Sequence, residues 1–416
     1  MSRVRAIAGH ELTRRSAYFS VSVVAATAVG VFSIPVLIGV LGPGQWGLLA
    51  VLQVVGQMGA VVVAFGWGAT GPSMVSALPR ASRIPFYVDS LAVRGLLFLL
   101  AAPAAMLVGW ALGADPLIAA LAALTYVLPG MNAAWYFIGT NRPGALVLLE
   151  SLPAVLGQVA GLLLVLIQPS LAAYLTATVL VTLLGVSASA WYVLTRADEG
   201  IRALPPRVHL RGVFRGQLPG FTTMISGSLV SNLPLVIVGA LVPAMRPVFA
   251  LVDRLFKYAI IVLAPVLQAI QSWVPEAGAQ ESPHRARRAL GVATAIGLVG
   301  GACMAGLATP VSSLLSLGQA VVPWHIGALI GVAFLAECLA QIGGLAALVP
   351  LGGMRALALS SIVAAAVGLP VMAGLVALWG LEGAAVGMLL ISVATAVWRV
   401  RAALRLARQA ITAPIL

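Results

Sequence analysis

Twelve apolar runs, each long enough to cross a bilayer, constrain this chain more than any other feature. They lie at about 17–41, 46–67, 88–112, 116–139, 144–168, 171–195, 217–242, 247–275, 289–317, 321–349, 355–379 and 381–400. A helix crosses a hydrocarbon core of ~30 Å in about 20 residues. None of the runs shows the period-two alternation that a membrane barrel requires. Lipid offers the backbone no hydrogen-bond partner, so each run must satisfy itself, and a helix does so. The expected fold is an all-α polytopic membrane protein of about twelve transmembrane helices. Composition agrees: 8% of residues are charged, against roughly a quarter in soluble domains. The first run is of spanning length behind a long basic leader, unlike the 7–15 residue core of a cleaved signal peptide, and is expected to stay as the first span.

The net charge of +13 belongs to topology. Of 24 basic residues, 21 lie in the leader, in alternate connectors and span margins (Arg80, Arg83, Arg94, Arg142, Arg196–Arg215, Arg285–Arg288, Arg355) or at the chain end. The opposite loops hold only Arg246. This is the positive-inside pattern with both termini cytoplasmic, and it needs no nucleic-acid partner. Only Arg254 and Lys257 remain, inside a span.

The longest basic connector follows the sixth run. It divides the chain into an N-terminal six-helix half (1–195), a basic cytoplasmic linker (196–216) and a C-terminal six-helix half (217–416). An even number of spans per half implies a parallel repeat. Laying 34–53 on 234–253 matches Val36/Val236, Gly39/Gly239, Leu41/Leu241, Pro43/Pro243 and Ala50/Ala250. Gly157/Gly161 and Gly383/Gly387 are small-xxx-small pairs that let helix backbones approach closely. Pro103, Pro153, Pro265 and Pro370 interrupt apolar runs and predict kinks.

Several chemistries are excluded. Lys257 is the only lysine, and no phosphate-binding GxxxxGK[ST] loop surrounds it. The four histidines are scattered and no HExxH or CxxC is present, so no metal site is expected. Cys303 and Cys338 sit in separate spans and are expected as free packing thiols. The connectors are too short for an extramembrane catalytic domain, and no enzyme activity or cofactor is expected.

The run beginning at 247 holds the candidate site. On a helix advancing 100° per residue, Arg246, Asp253, Arg254, Lys257, Gln268, Gln271 and Ser272 share one arc of roughly 120° opposite Leu, Val, Ile and Phe. Lys257 falls roughly 15 Å along the helix, near mid-membrane, where even a lenient scale puts a charge at about 2.5–3.5 kcal/mol. Asp253 and Lys257 can neutralise each other at i,i+4. Arg246 and Arg254 suit a phosphate-bearing ligand, because guanidinium grips phosphate bidentately. Glu337, with Gln341 one turn on, reads as a proton carrier, a partner for Arg254 or a structural hydrogen bond. The first half offers Gln53, Gln57, Asn132, Tyr136 and Glu150 but no expected intramembrane cation. The seventh run is rich in hydroxyls and in Asn232, which bind sugars or glue helices together.

Several motifs then resemble one family. "LGPGQWGLLA" (41–50), "FGWGATGPSMVSALPR" (65–80) and "WYFIGTNRPG" (135–144) are similar to turns of Wzx-type polysaccharide flippases, in the multidrug/oligosaccharidyl-lipid/polysaccharide exporter superfamily. "AxxxRLF" (250–256) and "GLEGAAVG" (380–387) resemble it in the second half. The resemblance implies two lobes around a central cationic cavity. It implies flipping of a polyprenyl-(pyro)phosphate-linked oligosaccharide across the cytoplasmic membrane by alternating access. Arg254 matches the family's arginine, whereas Arg246 and Lys257 match nothing, and "LVPAMRPVFAL" departs from the family's turn. Coupling to H+, Na+ or the membrane potential, a monomer, and neighbouring glycosyltransferases or a polymerase follow as expectations. A drug/cation antiporter, a lipid II flippase and a membrane glycosyltransferase or polymerase are the alternatives.

Overall fold

The computed structural model describes residues 26–197 and 210–412, which are helical almost throughout. The basic leader and most of the 196–216 linker, with Arg202 and Arg207, lie outside the described residues. The described helices are α1 (Ala26–Leu41), α2 (Pro43–Ala64), α3 (Trp67–Ala77), α4 (Arg80–Ala111), α5 (Pro116–Val127), α6 (Ala134–Gly139), α7 (Pro143–Ile167) and α8 (Leu171–Thr195). They continue with α9 (Leu210–Leu241), α10 (Arg246–Trp273), α11 (Gly278–Leu315), α12 (Trp324–Leu348), α13 (354–379) and α14 (381–412).

Among the described residues, nine helical segments are long and apolar enough to cross a membrane. The last, Met354–Gln409, contains two spans, because Gly380 breaks it with φ 57° and ψ −123°. The described part of the first run, Ala26–Leu41, and the charged α10 complete the twelve stretches marked by hydropathy. The chain is an all-α multi-pass membrane protein.

Its tight turns follow from local chemistry. Gly42, at φ 83°, reverses the chain after α1, and Pro43 opens α2 at a position where its missing N–H costs nothing. Asp115 accepts from the Leu117 N–H at 2.9 Å to cap α5, and Ser170 accepts from Ala173 at 3.1 Å to cap α8. Helices end at Leu41 and Leu241, and the chain resumes helical turns at Pro43 and Pro243, so the internally matched residues occupy equivalent junctions.

The described residues divide into two compact units, one ending at Ser228 and the other beginning at Leu229. In the first, α2, α4 and α5 pack together and α7 pairs with α8. A methyl group added at Gly161 would meet Tyr174 and Thr178 of α8, which explains the Gly157/Gly161 pair. An aromatic core of Trp67, Tyr87, Trp135, Tyr136 and Phe137 fills the space among α3, α4 and α6. In the second unit α12 is packed by α11 and α14. Cys303 is exposed on α11 and Cys338 is buried on α12, both as free thiols.

Candidate functional site

The helix α10 starts from a short 3-10 turn, Pro243–Met245, and keeps its turns through Pro265. Asp253 is buried, at 6% exposure, and accepts from Lys257 Nζ at 2.8 Å through Oδ2. The same ammonium donates to Asn232 Oδ1 of α9 at 3.0 Å. One turn of α10 and one residue of α9 therefore form a compact polar cluster, with half-buried Arg254 beside Asp253 in the chain. The opposite side of the helix is apolar, as the projection requires. Leu255, Ala259, Val262 and Val266 line a groove of about 620 Å³ shared with α11 and Phe334 of α12.

The other expected site residues fall in different settings. Arg246 donates from Nε to the Gly239 carbonyl at 2.8 Å, in the last turn of α9. Gln268 is exposed and Gln271 half-buried. Glu337 accepts from Gln341 Nε2 at 2.8 Å, and Arg399 is a cation that acts on it electrostatically. Arg399 itself donates from Nε to Ser360 Oγ (2.9 Å), from Nη2 to Ser361 Oγ (2.9 Å) and from Nη1 to the Ala340 carbonyl (3.1 Å). The structure thus joins Asp253, Lys257 and Asn232, and separately Glu337, Gln341 and Arg399.

The first unit corrects one expectation, for it does hold a cation within a span. Arg94, fifteenth of the 32 residues of α4, is only 1% exposed. Its Nη1 donates to the carbonyls of Asn132 (2.6 Å) and Gly130 (3.4 Å), and Nε and Nη2 bond Ser90. These carbonyls are freed where the fourth span breaks, between a 3-10 turn at Leu128–Met131 and α6. Glu150 Oε1 accepts the Ala133 N–H at 2.7 Å. One peptide unit, Asn132–Ala133, is therefore held by a guanidinium at its C=O and a carboxylate at its N–H. Sequence reasoning counted Arg94 among the margin charges. The available signal was its spacing from Tyr87 and Ser90, which places all three on one helical face.

Next to this clamp is a cavity of about 330 Å³ lined by the end of α2, Trp67 and Gly68 of α3, Arg94, residues 129–138 of the broken span and Met224 of α9. The Gly-rich stretch before it serves close approach. Gly66 has φ 83°, and a methyl group there would lie 2.6 Å from the Gln217 carbonyl and 2.7 Å from the Phe221 nitrogen.

No protein-family model matches the chain, and no curated protein matches it. Solved structures do, at identities that show the fold alone. An inward-facing multidrug resistance MATE family transporter of the MOP superfamily aligns over 94% of this chain and 94% of its own, at 15% identity and a TM-score of 0.62. The lipid II flippase MurJ, in an inward closed conformation, aligns over 94% and 90% at 9% identity and a TM-score of 0.69. A mutant of the Vibrio cholerae MATE transporter VcmN aligns over 96% and 97% at 14% identity and a TM-score of 0.58. Over nearly all its length, this chain has the fold that MATE transporters share with the MurJ flippase.

Proposed function

We propose that the chain flips an anionic lipid-linked saccharide, a polyprenyl-(pyro)phosphate-linked oligosaccharide or polysaccharide repeat unit, across the cytoplasmic membrane by alternating access. One observation carries the reading. Within little more than one turn α10 carries two cations, Arg254 and Lys257, and one acid, Asp253, which takes the Lys257 ammonium at 2.8 Å. A cationic substrate would meet repulsion there, whereas a phosphate would be drawn in. Guanidinium adds bidentate geometry to that attraction. The structural neighbour MurJ is a lipid II flippase, which favours a lipid-linked substrate. In this reading the protein draws on an H+ or Na+ gradient or the membrane potential, and works beside the enzymes that build the glycan.

A drug or cation antiporter is the second reading. The observation on its side is Glu337, an acid within α12 whose hydrogen-bond partner is the neutral amide of Gln341. Proteoliposomes separate the two. The expected result is movement of a fluorescent polyprenyl-pyrophosphate glycan between leaflets, reduced at least tenfold by Arg254→Ala at unchanged protein level. Ethidium transport by the wild type, with no glycan movement, would overturn the first reading in favour of the second.

A further inference from the structure

We infer that the cytoplasmic end of the second compact unit is a docking surface for anionic phospholipid head groups, centred on Arg401 and Arg405 of α14. The inference starts from one stripe of that helix. On a 100° step, Leu390, Ala394, Val397, Trp398, Arg401 and Arg405 fall within an arc of roughly 100°, and all six are exposed. The opposite side, with Ala396, Ala403 and Ala407, is buried against the unit. The outward stripe therefore changes from apolar to basic between 398 and 401 while keeping its direction. The run 381–400 covers ~30 Å, one hydrocarbon core. Arg401 and Arg405 then fall about 2 Å and about 8 Å beyond it, across the depth of the head-group layer. Exposed Trp398 sits at the boundary, where amphipathic rings favour the membrane–water interface.

Two other helix ends bring arginine to the same end of the unit. Ala286 and Ala289 of α11, Ala356 of α13 and Ala403 of α14 meet in one apolar cluster. Arg287, Arg288 and Arg355 are the chain neighbours of those alanines and are exposed. Neither these three nor Arg401 and Arg405 make a hydrogen bond or ion pair among the described residues. The described acids here are Glu276 and Glu281, and Glu281 lies 3.8 Å from Arg285. Orienting the chain requires only that basic residues lie in the cytoplasmic connectors. It does not require them to continue a lipid-facing stripe of a helix. A bilayer sets phosphates directly above acyl chains, which matches a face that runs from apolar to basic. A soluble acidic partner would match the basic half alone. Each arginine near an anionic membrane surface adds to the attraction. The surface uses no residue of the α10 cluster and stands independently of the transport reading.

Trp398 reports on the surface from within it. The chain has nine tryptophans, and the difference between wild type and Trp398→Phe isolates the fluorescence of this one. The full chain is reconstituted in phosphatidylcholine vesicles containing a rising fraction of a brominated lipid, which quenches a tryptophan that it touches. Brominated phosphatidylglycerol is expected to quench Trp398 at about one fifth of the fraction that brominated phosphatidylcholine needs, the preference that one arginine confers. Arg401→Gln/Arg405→Gln should bring the two lipids within about twofold of each other, and Arg401→Lys/Arg405→Lys should keep the preference. Arg405→Gln alone, with a partial loss, serves should the double variant fail to insert. Equal quenching by the two lipids in the wild type, or a preference untouched by the glutamine variants, would overturn the proposal. A Trp398 signal that ignores lipid charge but responds to poly-glutamate would overturn it in favour of an acidic protein segment.

Discussion

Replacing Lys257 by methionine measures what the charged cluster of α10 is worth. Methionine keeps most of the apolar stem and deletes the ammonium, which lies 2.8 Å from Asp253 Oδ2 and 3.0 Å from Asn232 Oδ1. The Asp253 side chain is 8% exposed, so the variant strands a carboxylate out of water. Removing one partner of a buried pair costs about 3–5 kcal/mol. The Lys257 side chain is 33% exposed, which screens part of the attraction. The expected loss is therefore at the lower end, about 3 kcal/mol. Asp253→Asn leaves an ammonium that can turn toward its exposed side and should cost only about 1 kcal/mol. The double variant strands no charge and should match Asp253→Asn, giving a coupling of about 3 kcal/mol in the cycle. Unfolding midpoints of the four proteins in one detergent read this out. If Lys257→Met unfolds with the wild type, or the two substitutions simply add, the ion pair does not hold this helix.

Other perturbations test the packing. Gly42→Ala and Gly66→Ala both force a side chain to φ 83°, but only at Gly66 does the added carbon strike backbone, at Gln217 and Phe221. Thermal unfolding should find Gly42→Ala costing about 1 kcal/mol and Gly66→Ala about 1–3 kcal/mol more. Glu150→Gln keeps an acceptor for the Ala133 N–H and should be close to neutral in the same assay, whereas Glu150→Ala should cost about 1–3 kcal/mol. Arg399→Lys should lower the unfolding midpoint nearly as much as Arg399→Met. Three different nitrogens bond Ser360, Ser361 and Ala340, and an ammonium cannot reproduce that fork.

The helices were legible because spanning lengths and the lipid's demand on the backbone leave little choice. Turns at Gly42–Pro43 and the polar arc of α10 were legible for equally local reasons: a fixed φ and a 100° step. The Asp253–Lys257 pair follows from i,i+4 spacing alone. Its third member, Asn232, required knowing that α9 and α10 meet. Arg94 was misjudged because hydropathy weighs a residue by its neighbours in sequence. Its environment is set by the broken span 36 to 38 residues further on, a tertiary fact. Glu337 illustrates the same limit, since a cation that acts on it electrostatically, Arg399, lies 62 positions away in the chain.

Four arginines, buried Arg94 and half-buried Arg246, Arg285 and Arg399, share a task. Arg94 bonds carbonyls freed at the break after Leu128–Met131. Arg246 bonds Gly239 in the last turn of α9, and Arg285 bonds the carbonyl of Trp273, the last residue of α10, at 2.7 Å. Arg399 bonds Ala340 just before α12 widens into the π-helical turns of Ile342–Leu348. Each interruption leaves carbonyls without an intrahelical donor, and lipid supplies none. A planar fork of five donors covers several such carbonyls at once, which an ammonium does less well. Lysine survives where one point charge suffices, opposite Asp253. In this chain, these four arginines are first fastenings for irregular backbone. Arg246 is accounted for in that way, and under the proposed flippase reading the contact to an anionic head group on α10 falls to Arg254.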